Sequence, residues 1–347
     1  MKTGLTLQQL AAKIEGAKLL KRDYIGETSK LAVTIQEDKT PVLEIAAHGQ
    51  FPILPLAHEQ IGARLDIPRK YYQRMQSDSP ELLANNINTW FRKAPEKRML
   101  RTMGGDLRAF LSNKFRRVEN EQIAEVCLPV LADLPSVNIT SCEVTDRRLY
   151  IHFVVPTVQG EVKVGDVVQA GGVISNSEVG CGRYSVSGLL WRLGCLNGMK
   201  TTDQFSKNHV GRRIEDDESL WAEDTVKADD QAILLKMRDM VRAVTDESRF
   251  KAQIDKMRGL TEGKVSGSIE SAVEMLASKV GANDTERSGI LRSLIEGGDL
   301  SAWGMLNAVT AQAHTAKEYD RAVEFESMGG QLLELPRNEW KEILQAA

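Results

Sequence analysis

The stretch from Leu149 to Asn197 constrains the fold more than any other. Apolar residues alternate through "RLYIHFVVP", so that Leu149, Ile151, Phe153 and Val155 share one face, and "DVVQAGGVISNS" and "RYSVSGLLWRLGCLN" continue as strand-like runs. A period of two sends successive side chains to opposite faces, so runs of this kind commit the segment to a sheet. Just upstream, "NITSCEV" is a further strand candidate, "RTMGGDLRAFLSN" reads as a strand or a hairpin, and "NEQIAEVCLPVLADL" as a helix capped by Asn120. A β-rich block with one helix inside it predicts an α+β domain built on a mainly antiparallel sheet with that helix packed on it. The polar cluster "SNSEVGCG" then falls at a strand end, and "CLNG", with Asn197 and Gly198 as turn residues, closes a hairpin.

The flanks differ in character. Thr6 and Gln9 have capping-box spacing ahead of Leu7, Leu10 and Ile14. "LAVTIQ" and "VLEIAAHG" read as short strands. "LAHEQIGARLDIPRKYYQRMQ" reads as two helices with Pro68 at a first helical position, and Ser79–Pro80 opens another. Beyond Thr201 the spacing turns helical, through Ile233, Met237 and Val244, then Ile269, Val273, Leu276 and Val280, with a break at Gly297–Gly298. The expected organisation is a small mixed N-terminal region over 1–95, an α+β basic core domain over 96–205 and a helical C-terminal region over 206–347.

With 347 residues, 42% hydrophobic and 27% charged, the chain is long enough to bury a large core. No apolar run reaches the ~18 residues that span a bilayer, so no membrane partner is expected. The opening "MKTGLTLQQLAAKIEG" has no secretory pattern, which predicts a cytoplasmic protein with reduced thiols. Cys127, Cys142, Cys181 and Cys195 lack the close pairing of a zinc knuckle, and the five histidines are scattered, so no metal is expected. "GLTEGKVSGS" misses the phosphate-loop spacing, and "GGVISNSEVGCG" misses the dinucleotide one, so no nucleotide cofactor is expected.

Charge is strongly segregated. Between Arg92 and Arg117 lie nine basic residues (92, 93, 97, 98, 101, 108, 114, 116 and 117) against Glu96 and Asp106. Between Glu215 and Asp230 lie eight acids against Lys227. A basic segment interleaved with Phe91, Phe110 and Phe115 has the composition that holds a phosphate backbone and stacks bases. Arg98, Arg101, Arg108, Lys114, Arg116 and Arg117 are the expected phosphate contacts, and Phe115 and Trp191 the expected platforms. In the polar turn, Asn176, Ser177 and the glycine amides have the chemistry to bond phosphate or base edges, with Arg183 and Arg192 adding charge. The acidic run is expected either to touch a neighbour's basic surface or to screen the groove. Three other readings stand beside this one. A hydrolase or nuclease would use Cys181 and Glu178 with His152 or His209, or with Asp166 and Glu161. A duplex reader would use Tyr71, Tyr72 and Arg74. A host-directed binding protein would use the acidic region as a mimic of DNA charge.

At "RAFLSNKFRRVENEQIAEVCLPVL" (108–131), "VISNSEVGCGRYSVSGLLWRLGCLNGM" (173–199) and "AWGMLNAVTAQAH" (302–314), the chain resembles the phage/plasmid-like proteins grouped as domain-of-unknown-function family 932. The resemblance runs roughly from Arg98 to Leu335 and implies a mobile-element setting, with no catalytic residues to carry over. Together with the basic β-rich block, the outline is similar to single-strand annealing proteins of the Rad52-like kind. That similarity implies a homo-oligomeric ring or filament that binds single-stranded DNA and anneals it without ATP and without catalysis.

Overall fold

The computed structural model describes residues 1–207 and 223–347. The chain begins with α1 (Leu7–Leu20), where Thr6 and Gln9 form the expected capping box. It continues through β1 (Lys21–Glu27), β2 (Leu31–Ile35), β3 (Pro41–Ile45), β4 (Gly49–Pro52), α2 (Pro55–Arg64), α3 (Arg69–Asp78) and α4 (Pro80–Lys93). Next come β5 (Lys97–Met103), β6 (Asp106–Ser112), α5 (Asn120–Asp133), β7 (Asn138–Val144), β8 (Leu149–Glu161), β9 (Val167–Asn176), β10 (Tyr184–Arg192) and β11 (Asn197–Lys207). The helices α6 (Glu223–Ala243), α7 (Glu247–Glu262), α8 (Ile269–Val280), α9 (Asp284–Gly297), α10 (Ala302–Thr315), α11 (Tyr319–Leu333) and α12 (Arg337–Leu344) complete it.

The alternating block forms one antiparallel meander in the order β11-β10-β9-β8-β7. Leu149, Ile151, Phe153 and Val155 do share a face. It is covered by Leu10 and Ile14 of α1, Ile123, Cys127 and Leu131 of α5, and Ile233, Met237 and Val241 of α6. The opposite face carries Val154, Val173 and Trp191 against Tyr319 and Val323 of α11, whereas Val168 and Ala170, on the same face as Val155, meet the bundle of α7 to α12. Burying each such side chain stabilises the fold by about 1.5–3 kcal/mol, so a sheet covered on both faces forms the main core. The chain is therefore α+β, with antiparallel sheets and an all-helical C-terminal region.

Two smaller sheets, β1-β5-β6 and β2-β3-β4, pack with α2, α3 and α4 around Leu43, Ile61, Leu83, Phe91, Leu100 and Phe110. Here β1 pairs with β5 along its whole length, Lys21 opposite Met103 to Glu27 opposite Lys97. The hairpin β5–β6 turns at Gly104 and Gly105, both at positive φ, which glycine adopts without a Cβ clash. This pairing crosses the boundary expected at 95–96 and puts the basic segment with the N-terminal elements rather than in the five-stranded sheet. The edge of β2 is capped by a side-chain amide: Asn88 of α4 accepts from Val33 N–H at 2.7 Å and donates to its carbonyl at 2.8 Å. Three local expectations shift. Glu119 rather than Asn120 caps α5, in a box with Gln122, and Pro68 precedes α3 instead of opening it. The β10–β11 turn occupies 193–196, so Asn197 and Gly198 already belong to β11.

Candidate functional site

The polar turn after β9 does not face solvent. Asn176 is fully buried and donates from Nδ2 to Val118 carbonyl at 2.9 Å and Asn120 Oδ1 at 2.8 Å. Ser177 is also buried; its hydroxyl donates to Arg147 carbonyl at 2.7 Å and accepts from Cys181 N–H at 2.8 Å. Glu178 lies at the centre of a charge network that joins the small sheet β1-β5-β6 to the five-stranded one. Its Oε1 accepts from Lys21 Nζ at 2.5 Å and from Asn120 N–H at 2.8 Å, and its Oε2 from Arg108 at 2.8 Å. Burial pushes this carboxyl up, but the charges of Arg108 and Lys21 and the Asn120 N–H outweigh it and lower the group to about 2.

Arg101, 1% exposed, donates to Asp23 at 2.8 Å, to Glu119, and to Glu178 carbonyl at 2.7 Å. Arg117 reaches the second Asp23 oxygen at 3.1 Å. Glu119, Glu121 and Glu178 converge closely enough to hold a cation, yet the Lys21 ammonium bonds all three, at 3.3, 3.0 and 2.5 Å. Burial pulls Lys21 down, and the surrounding carboxylates more than reverse it, so its pKa is raised and it stays charged. Asp23, Glu119, Glu121 and Glu178 are thus matched by Lys21, Arg101, Arg108 and Arg117. The chain supplies its own counter-charges here.

The Cys181 site lacks the features of a nucleophile. Burial pushes its thiol above the ordinary range, offset only in part by Arg147, whose Nη1 lies 3.8 Å from the sulfur. His152 is buried elsewhere, bonded to Glu326 at 2.9 Å and Tyr319 at 3.3 Å, and His209 lies outside the described residues. Asp166 is held by Arg192 and by Trp303 Nε1 at 2.9 Å, on the bundle side of the sheet, so it does not converge with Glu178. Tyr72, one of the three side chains that would read a duplex, is buried and bonded to His58 at 2.8 Å, leaving Tyr71 and Arg74 exposed on α3.

The structure scatters the expected nucleic-acid contacts. Arg101, Asn176 and Ser177 are interior and cannot reach a phosphate in this conformation, because their donor groups are spent on the junction. Arg108 is committed to Glu178. Trp191, 8% exposed, packs among Tyr150, Val173 and Tyr319, and so offers no stacking face. Arg192 pairs with Asp166, far from the basic segment. Phe115 is half-buried and rests near Gly180, while Phe91 and Phe110 are buried and stacked on each other at 5.6 Å. Arg98 lies over the Phe110 ring at 4.8 Å, and Arg116 is held by Asp229 and Asp230. Lys114, Arg117 and Arg183 are exposed. Of the acidic run, 215–222 lies outside the described residues.

A different group comes together at one end of β1-β5-β6. Arg92 and Lys93 end α4, Lys97 opens β5, and Arg98 pairs in register with Ser112, two residues before Lys114. All but Arg98 are exposed, and among the described residues no carboxylate comes within ion-pair distance of Arg92, Lys93, Lys97 or Lys114, Glu27 opposite Lys97 turning instead to Lys30. Trp90 is 44% exposed beside them, with the Lys93 ammonium 5.2 Å from its ring centre. Counting charge along the chain finds this segment; only the register shows which cations share an edge. No family model matches the chain, and no curated protein or solved structure matches it either.

Proposed function

We propose that the chain is a non-catalytic, single-stranded-DNA-binding protein that assembles with copies of itself and anneals strands, in the cytoplasm and in the mobile-element setting that its resemblance implies. The observation that carries this reading is the rim of exposed cations Arg92, Lys93, Lys97 and Lys114 at the end of α4 and of the β5–β6 pair, with Lys93 over the half-exposed Trp90. Cations without carboxylate partners attract a phosphate backbone, and an indole face stacks any base, which is the pairing that sequence-tolerant single-strand binding needs. Among the described residues no helix is long and apolar enough to cross a membrane. The enzyme alternative gains nothing from geometry, since Glu178 is saturated by donors and the Cys181 thiol is raised.

The test is fluorescence anisotropy of a labelled oligothymidine of about 40 nucleotides, long enough for several binding footprints. Duplex and RNA of equal length are measured beside it, each across a salt series. Tight binding that prefers the single strand and weakens steeply with salt supports the reading and leads to a two-strand annealing assay. Absence of binding at low salt overturns it.

A further inference from the structure

Arg116 is held in a way that sets it apart from the rim. Its Nη1 donates to Asp229 Oδ2 at 2.6 Å and its Nε to Asp230 Oδ1, so one guanidinium spans two adjacent carboxylates near the start of α6. A guanidinium fork meets paired anionic oxygens in the same way whether carbon or phosphorus bears them. The arginine side chain is 14% exposed, Asp230 27% and Asp229 53%, so Asp229 lies furthest towards solvent. The apolar anchors of α6 against α5 and the sheet are Ile233, Met237 and Val241, all C-terminal to the two acids. The first turns of α6 therefore meet Arg116 through charge, and the rest of the helix is held by burial.

We propose that Arg116 is a phosphodiester-binding subsite kept closed by Asp229 and Asp230, which serve as an internal phosphate mimic until a nucleic-acid strand displaces them. The proposal rests on the nucleic-acid reading above. The outer pair, to Asp229, opens on solvent and is the weaker, so a polyanion that brings several phosphates at once can compete there first. The clamp leaves the outer rim open for first contact and commits Arg116 only to a strand already held there.

The test is a cycle of four proteins on labelled oligothymidine at one low salt concentration: wild type, Asp229→Asn with Asp230→Asn, Arg116→Ala, and all three changes together. The Asn pair is expected to bind about three- to tenfold more tightly than wild type, as expected for removing one or two weak ion pairs. That gain vanishes in the triple variant, which matches Arg116→Ala alone. A gain that survives loss of Arg116 is a general effect of removing negative charge and overturns the clamp, as does no gain at all. If wild type binds, either result leaves the nucleic-acid reading standing; if none of the four binds, both fall. Hydrogen exchange on the wild-type protein gives an answer independent of any variant. Oligothymidine should speed exchange over Thr225–Asp230 at the start of α6, and unchanged or slower exchange there overturns the displacement.

Discussion

The two halves of strand β5 carry the same residue types to opposite fates. Lys97, at its start, is exposed beside Arg92, Lys93 and Trp90. Arg101, four residues on, is buried among Asp23, Glu119 and the Glu178 carbonyl. The difference lies in what the partner strands and the β9 turn bring to each end. A run of basic residues states how much positive charge there is and says nothing of how much has been answered. Half of this segment is the cationic side of an internal lock, and the other half is open to a ligand.

The lock should give the largest effect. Glu178→Ala leaves Lys21 and Arg108 charged and buried without their shared partner, which costs about 3–5 kcal/mol. Urea unfolding should show this as a large fall in midpoint, while oligothymidine binding under folding conditions stays near wild type because the rim is untouched. A loss of stability comparable to that of an exposed ion pair would show that the junction does not depend on Glu178.

Acid probes the same carboxylate without a mutation. Its pKa is lowered from 4.5 to about 2 in the folded protein, so its contribution is fully present above about 4.5 and is lost as pH falls toward 2. A shift of that size corresponds to roughly 3 kcal/mol of stability. Glu119 acts in the opposite sense: burial, with the Glu178 charge beside it, raises its pKa, so its protonation favours the folded state as pH falls. The clean measure is the stability gap between wild type and Glu178→Gln, which should narrow between pH 5 and pH 2. A gap that stays constant would place the effect of the glutamate in shape rather than charge.

How much of this was legible depended on range. Local signals were readable: the Thr6–Gln9 capping box, the glycine turn of β5–β6, the left-handed Gly298 that ends α9, and the alternation that builds the five-stranded sheet. The turn "SNSEVGCG" was correctly placed at a strand end but mistaken for a surface, because what buries it comes from elsewhere. Asp23 meets Arg101 across 78 positions, Lys21 meets Glu178 across 157, and Asp229 meets Arg116 across 113. Asn120 read as a cap because its side chain suits that role, yet Glu119 does the capping and frees the Asn120 N–H for Glu178. Counter-charges at such separations leave no mark on a local window of sequence.

The smallest expected effect bears most directly on function and contrasts two tryptophans. Trp90 stands at the open rim, and Trp191 is packed between β-sheet and α11, so a base can stack only on the first. Trp90→Ala should weaken oligothymidine binding by about 1–3 kcal/mol, the usual worth of one stacked base, and leave unfolding nearly unchanged because its ring is already half in solvent. Trp191→Phe should do the reverse, lowering stability while leaving affinity in place. Intrinsic fluorescence separates the two without relying on affinity. Oligothymidine should quench wild type and Trp191→Phe alike, and quenching should largely disappear in Trp90→Phe. Quenching that follows Trp191 instead would move the stacking surface from the rim into the five-stranded core, and with it the place where a strand is held.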